Sequence, residues 1–268
     1  TKNSTHSYTA QGTYGVKHTT VTNRGCKDTA IRNVKILPKS NISYSLPLGS
    51  DSQCLKGNNF SFTNGSSISS GSITSYKWDF GDGSSPVTAQ NTTHTYTTKG
   101  IYKVKLMTLN SFGCYDTLEK QIKVQPQSTP KYTINNDSQC VKGNSFTFTN
   151  TSTISSGRIS YSKWQYSSTS SDTLRQTTIT STTKKYTSSG RNKVILTTIS
   201  DRGCKDTTSL ELEVFPQATP SFITTGDTQC YGTNKYTVTN KTTISKGSVT
   251  GYSWNFGDEA KDLLVQRF

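Results

Sequence analysis

The stretch Tyr76-Lys77-Trp78-Asp79-Phe80-Gly81-Asp82-Gly83 recurs, with changes, at Tyr161–Tyr166 and at Tyr252–Asp258. That recurrence limits what the chain can fold into more than any other feature. Cys54, Cys140 and Cys230 each precede the tryptophan of a copy (Trp78, Trp164, Trp254) by 24 positions. Gly12, Gly100 and Gly190 each precede a second cysteine (Cys26, Cys114, Cys204) by 14. Trp78 to Gly100 is 22 positions and Trp164 to Gly190 is 26, so each copy has two rigid halves joined by a variable loop. The period, 86 and then 90 residues, is too long for a solenoid repeat and suits a bead-like domain.

The copies divide the 268 residues off register. Residues 1–38 carry only a back half, 39–126 and 127–216 are whole units, 217–258 carry only a front half, and 259–268 form a divergent tail. No initiator Met and no charged-then-apolar leader opens the sequence, so the expectation is a fragment of a longer repetitive chain.

Within a unit the apolar period is two, the mark of strands. Phe60 and Phe62 share one face, as do Phe146 and Phe148, and the third copy places Tyr236 and Val238 there. Further strands are expected over the Trp segment, Thr95–Thr97, Ile101–Leu109 and Leu118–Val124, with Ser111-Phe112-Gly113 as a hairpin turn and Gly81-Asp82-Gly83 as a tight turn. Pro126 with Pro130, and Pro216 with Pro220, stiffen the connections between units. About seven short strands in some 90 residues predicts an all-β chain of tandem sandwiches.

Only 29% of the residues are apolar, which a disordered chain would share. The 14 Tyr, 10 Phe and 3 Trp at repeating positions instead require a core. No apolar run reaches membrane-spanning length, so no membrane insertion is expected. The net charge of +14 is spread over all units without a Lys/Arg block. Lysines such as Lys103 and Lys105 alternate with Tyr102, Val104 and Leu106, as outward strand residues that discourage edge association. That distribution argues against a nucleic-acid partner and leaves weak contact with acidic polysaccharide or a cell surface.

Trp78-Asp79-Phe80-Gly81-Asp82-Gly83, then His94-Thr95-Tyr96, then Gly100-Ile101-Tyr102-Lys103-Val104, resembles the signature of the PKD (polycystic kidney disease) domain family. The resemblance implies Ig-like β-sandwiches, two whole units flanked by two half units, in an extracellular or cell-surface setting. The second unit departs from the signature: Trp164-Gln165-Tyr166 lacks the Asp/Gly turn and Arg191-Asn192 replaces the Ile-Tyr pair, so a kept sandwich with a different turn is expected. The cysteine-bearing form resembles repeats of large bacterial surface proteins. For those the resemblance implies a non-catalytic spacer or adhesion role, with neighbouring repeats and extracellular protein or polysaccharide as partners. The alternative is an accessory region of a secreted polysaccharide- or protein-degrading enzyme whose catalytic domain lies elsewhere.

Six cysteines at two places per repeat, in a chain read as exported, favour disulfides over zinc, because no Cys-x-x-Cys or Cys/His cluster is present. In an Ig-like sandwich Cys54 and Cys114 fall at opposite ends, roughly ten residues apart at about 3.3 Å each, far beyond disulfide reach. A Cys54–Cys204 bridge across a repeat junction is favoured instead.

Asp79 and Asp82 flank a glycine turn and are weak calcium candidates, two carboxylates being short of a coordination set. Turn hydrogen bonds explain them better, and no cofactor is expected. No Ser/His/Asp or paired-carboxylate constellation points to catalysis. Thr29, Thr117 and Thr207 each follow an Asp at one offset from a repeat cysteine; the triplet resembles a bacterial O-glycan acceptor, against a plain turn-to-strand reading. Tyr115 and Tyr231, with the Lys-rich faces, are weak glycan-contact candidates.

Overall fold

The structure, a computed structural model, describes residues 3–167, 173–178 and 180–258. The expected tail 259–268 lies outside them. Every regular element among the described residues is a strand. The chain divides into two compact units, Thr1–Gln127 and Ser128–Phe268.

The first unit opens with a hairpin, β1 (Gly12–Val21) and β2 (Lys27–Ile36), paired from Gly12↔Ile36 to Val21↔Lys27. It continues with β3 (Tyr44–Ser45), β4 (Ser52–Cys54), β5 (Phe60–Asn64), β6 (Ile73–Asp79), β7 (Thr92–His94), β8 (Gly100–Asn110) and β9 (Tyr115–Gln125). One sheet has the order β3-β5-β7 and the other β4-β9-β8-β6. All these pairings are antiparallel except β4 with β9, where Ser52–Cys54 runs parallel to Lys123–Gln125.

The alternation of side chains explains the two sheets. Along β8, Val104, Leu106, Thr108 and Asn110 are buried while the residues between them are not. Phe60 and Phe62 from the opposite sheet meet them, with Tyr44, Trp78, Phe80, Tyr96, Ile122 and Val124 completing one core. Tyr44 and Trp78 contact edge to face at 5.1 Å, a favoured aromatic geometry. The Tyr44 hydroxyl donates to the Val104 carbonyl at 2.7 Å, joining the two sheets through the core.

The second unit repeats the plan with β10 (Ser128–Thr129), β11 (Tyr132–Ile134), β12 (Ser138–Cys140), β13 (Phe146–Asn150), β14 (Thr153–Ile154), β15 (Ile159–Gln165), β16 (Thr173–Gln176), β17 (Ser181–Lys184), β18 (Gly190–Ser200) and β19 (Lys205–Phe215). Its sheets are β11-β13-β17 and β12-β19-β18-β15-β16, with β10-β14 as a separate short pair. The β12–β19 pairing is again parallel. Tyr132 donates to the Val194 carbonyl at 2.7 Å and packs on Trp164 at 5.1 Å, so both aromatic contacts recur. Beyond it, β20 (Phe222–Thr224) pairs with β21 (Val238–Asn240).

Two expectations need correction. The short strand expected at Thr95–Thr97 lies instead at Thr92–His94. Tyr96 cannot extend it, because its N–H donates to Asn58 Oδ1 at 2.7 Å and its carbonyl accepts from Asn58 Nδ2 at 2.9 Å. A side chain here takes the groups that a ladder would need. In the third copy Tyr236 precedes β21 and is exposed, so only Val238 sits on that strand.

Gly81 and Gly83 both have left-handed backbones, with φ of 74° and 84°. They differ in surroundings. A Cβ on Gly81 would lie 2.6 Å from the Lys103 carbonyl oxygen, whereas one on Gly83 meets nothing within 4 Å. Gly81→Ala therefore carries both the left-handed penalty, about 1–2 kcal/mol, and a backbone clash; Gly83→Ala carries the first alone. Urea titration should show G81A at least about 1 kcal/mol less stable than G83A, and equal losses would refute the close approach.

Candidate functional site

The repeated signature forms one connected patch in the first whole unit. Trp78 is fully buried on β6, and its indole N–H donates to the Ala89 carbonyl at 2.9 Å. The chain then turns on Asp79, whose Oδ1 accepts the Gly81 N–H at 3.0 Å. Asp82 Oδ1 accepts the Ser84 N–H at 3.0 Å and the Ser84 hydroxyl at 2.6 Å. Its other oxygen lies 2.7 Å from His94 Nε2. His94 stacks flat on Phe80, centroids 3.9 Å apart, and meets Tyr96 edge-on. Tyr96 donates to the Phe80 carbonyl at 2.9 Å and stacks on Tyr102 at 4.0 Å. Tyr102 turns back to the Thr98 carbonyl at 2.8 Å. Gly100 leaves room for that ring, since a Cβ there would sit 3.3 Å from it.

These contacts show what the signature residues do chemically. Of the calcium candidates, Asp79 places one oxygen and Asp82 both on turn N–H groups, a hydroxyl and an imidazole. Among the described residues no group of three or more His, Cys, Asp or Glu is placed to hold a metal ion. Burial pushes the Asp82 carboxyl up, but its bonds to Ser84 and His94 outweigh that and hold it below the ordinary carboxylate range. Burial also pushes the Tyr44 and Tyr132 hydroxyls up to about 12, so both stay neutral donors.

The second unit keeps the core and changes the turn. Trp164 is fully buried, but its indole donates to Gln176 Oε1 at 2.8 Å on β16. That strand pairs with the Trp strand from Ser162↔Gln176 to Gln165↔Thr173, where the first unit has only an isolated Trp78↔Val87 bridge. Tyr186 holds the Tyr96 position and donates to the Tyr166 carbonyl at 2.9 Å. Trp254, in the third copy, is half-buried against Phe222 at 5.3 Å.

Two sets of residues escaped the sequence reading. Asn144 brackets Tyr186 as Asn58 brackets Tyr96, accepting its N–H at 2.8 Å and donating to its carbonyl at 2.8 Å. Gln53, Gln139 and Gln229 each pair with the backbone six residues on, at Asn59, Ser145 and Lys235. The clue was present, since an Asn follows each front-half cysteine by four positions: Asn58, Asn144 and Asn234.

The cysteines fall into two classes. Cys54 and Cys204 are disulfide-bonded, whereas Cys26, Cys114, Cys140 and Cys230 are free. Cys54 pairs in register with Gln125 at the far end of β9, while Cys114 immediately precedes the first residue of that strand. The two therefore sit at opposite ends of one sheet. Thr29, Thr117 and Thr207 share one geometry: each is exposed, and each donates its N–H to the preceding carboxylate at 2.7, 2.9 and 2.9 Å. Tyr115 and Tyr231 are exposed.

The Asp82–His94 contact makes stability depend on acid. Asp82 titrates lower folded than unfolded, so its contribution is complete above the unfolded value and disappears as pH falls through the folded one. Asp82→Asn keeps the turn acceptor and removes the charge, at a cost of order 1 kcal/mol at neutral pH. Thermal melts should show the gap between wild type and D82N closing below the ordinary carboxylate pKa of 3.8, and a pH-independent gap would contradict the assignment.

A family model described as PKD domain matches residues 45–125. The pre-pro-metalloprotease PrtV of Vibrio cholerae serotype O1 (strain M66-2) is 33% identical over 152 residues, 56% of this chain and 16% of that protein. The chain thus spans about a sixth of that relative's length. Among solved structures, the PKD1 domain from the Vibrio cholerae metalloprotease PrtV is 34% identical, with 34% of this chain and 99% of that one covered and a TM-score of 0.28. The PKD1 domain of Vibrio anguillarum Epp is 26% identical, covering 32% and 93%, with a TM-score of 0.28. With the match running from β3 through β9, residues 45–125 are a PKD domain.

Proposed function

We propose that the chain is a non-catalytic extracellular spacer and adhesion region, in which residues 39–126 and 127–216 act as whole beads and 1–38 and 217–258 as parts of further ones. The PKD domain is itself a non-catalytic accessory or repeat module. One observation carries the reading. The interiors of both whole units are filled by the same aromatic core, so their outward faces are the working parts. Those faces are basic and polar, suited to extracellular protein or polysaccharide rather than to nucleic acid or a bilayer. Linked weak sites of this kind gain avidity without new contacts. In this reading no cofactor is needed, and the exposed Thr29, Thr117 and Thr207 are O-glycan candidates.

The similarity to PrtV supports the second reading, an accessory region of a secreted enzyme. The full-length reading frame separates the two: many repeats with an export tail against one catalytic domain.

The disulfide state supports a Cys54–Cys204 bridge between repeats, as these are the two oxidised cysteines. Non-reduced peptide mapping should recover Cys54 joined to Cys204, and Cys54 joined to Cys114 would overturn the bridge. The function itself is tested by pull-down of the full chain on a panel of immobilised polysaccharides. Retention on at least one, with no shortening of the polymer, is expected; passage through every matrix would remove the polysaccharide half of the proposal.

A further inference from the structure

The outer face of the β15-β18-β19 sheet carries a shallow groove of about 220 Å³, lined by Tyr161, Lys163, Gln165, Thr197, Ile199 and Lys205. Its composition follows from register. Lys163 lies opposite Arg175 on one side and Thr197 on the other, and Tyr161 lies opposite Ile199, which in turn faces Lys205. Two rows of side chains therefore cross three strands side by side. Among the described residues no carboxylate lines the groove.

Arg175, at the rim of the groove on β16 and in register with the lining residue Lys163, is the informative residue. Its guanidinium carbon lies 3.8 Å from the centroid of the Tyr161 ring. Stacked this way, the cation is held by the aromatic face while the N–H edges of its planar fork stay open. Neither Arg175 nor Lys163 has a carboxylate partner among the described residues. Gln165 donates to the Ser167 carbonyl at 3.0 Å, which leaves its amide oxygen as an acceptor. A preordered guanidinium, an ammonium, an amide oxygen and the Thr197 hydroxyl sit on one surface. That set matches a sugar ring bearing an anionic group: the fork takes the anion bidentately and the neutral groups take hydroxyls.

The first unit provides an internal comparison. Its equivalent of Tyr161 is Ser75, so no ring stands beside Lys77 to hold a guanidinium, although the exposed Tyr115 takes the Lys205 position at the other end of that row. Two of its cations have acidic neighbours, Lys105 opposite Asp79 in register and Lys103 paired to Glu119 at 3.2 Å, while Lys77, the counterpart of Lys163, faces Met107. The stacked Arg–Tyr pair is thus a feature of the second unit and not of the repeat in general.

We propose that this groove binds an anionic saccharide unit of an acidic polysaccharide, through Arg175 and Lys163, with Tyr161 positioning Arg175. The proposal rests on the polysaccharide-contact reading above and names its site and ligand class. The anion is a carboxylate or a sulfate ester, which share the same recognition chemistry.

The test is affinity electrophoresis of the full chain in gels containing polygalacturonate, dextran sulfate, neutral dextran or single-stranded DNA. Wild type should be retarded by polygalacturonate or dextran sulfate, and the stronger of the two identifies the anion. R175A/K163A should weaken that binding by about five-fold or more, from the loss of charge-assisted contacts. Y161F should bind as wild type, and Y161A should lose affinity with the double variant. K77A/K105A removes equal charge from the corresponding face of the first unit and should change affinity by less than about two-fold. Circular dichroism melts confirm that each variant is folded.

An equal loss in K77A/K105A overturns the site, because diffuse charge would then account for binding. Tighter binding to single-stranded DNA with the same variant pattern assigns the face to nucleic acid and also overturns it, as does equal retardation by neutral dextran. If wild type binds an acidic polymer and R175A/K163A binds it as well, only the groove assignment fails. If wild type is retarded by no saccharide at all, the underlying polysaccharide reading fails with it.

Discussion

A tyrosine hydroxyl that reaches from one sheet to a carbonyl of the other sets the frame of each whole bead. Tyr44 to Val104 and Tyr132 to Val194 are both 2.7 Å, in units that differ at many other positions. A phenol buried at that depth would be costly without an acceptor, so the bond restricts how the sheets can slide. Trp78 and Trp164 pack against the same tyrosines at 5.1 Å, and the Phe pair of the opposing sheet closes the layer. The remaining contacts are arranged around that layer. Asn58 and Asn144 close the corner beside it, and the turn after the tryptophan returns through Phe80 or Tyr166 to a second tyrosine.

Where the layer is kept, the periphery is free to change. The first unit surrounds its second tyrosine with His94, Asp82 and Tyr102. The second puts Lys184 and Asn192 at the His94 and Tyr102 positions and supports the tryptophan with an added strand instead. The N-terminal hairpin shows the reverse case. Tyr8 stacks on Tyr14 at 4.2 Å, and Tyr14 bonds to the Ala10 carbonyl at 2.9 Å, reproducing the Tyr96–Tyr102 corner with none of the tryptophan layer beneath it. That corner is therefore a local motif, formed by residues close in sequence.

The parts legible in the sequence were those with short periods or fixed spacing. Alternating Phe60 and Phe62, and Val104 and Leu106, announce strands because a pleated backbone sends every second side chain inward. The 24-residue Cys-to-Trp interval announces the repeat. What was hidden depends on distant partners. Asn58 reads as loop polarity, yet it satisfies Tyr96 from 38 residues away and displaces the strand expected there. Gln176 gave no sign that it would receive the Trp164 indole. The groove beside Tyr161 arises from the register of three strands, which no local pattern encodes.

The parallel pairing of Ser52–Cys54 with Lys123–Gln125, repeated by Ser138–Cys140 with Glu213–Phe215, joins an early segment of each bead to its last strand. When the two ends of a bead are drawn apart, these parallel segments are dragged past one another lengthwise. Their bonds then carry the load together and do not peel open one after another. A short strand that adds little to the core is thus placed where it resists shear between the early and final segments of its bead.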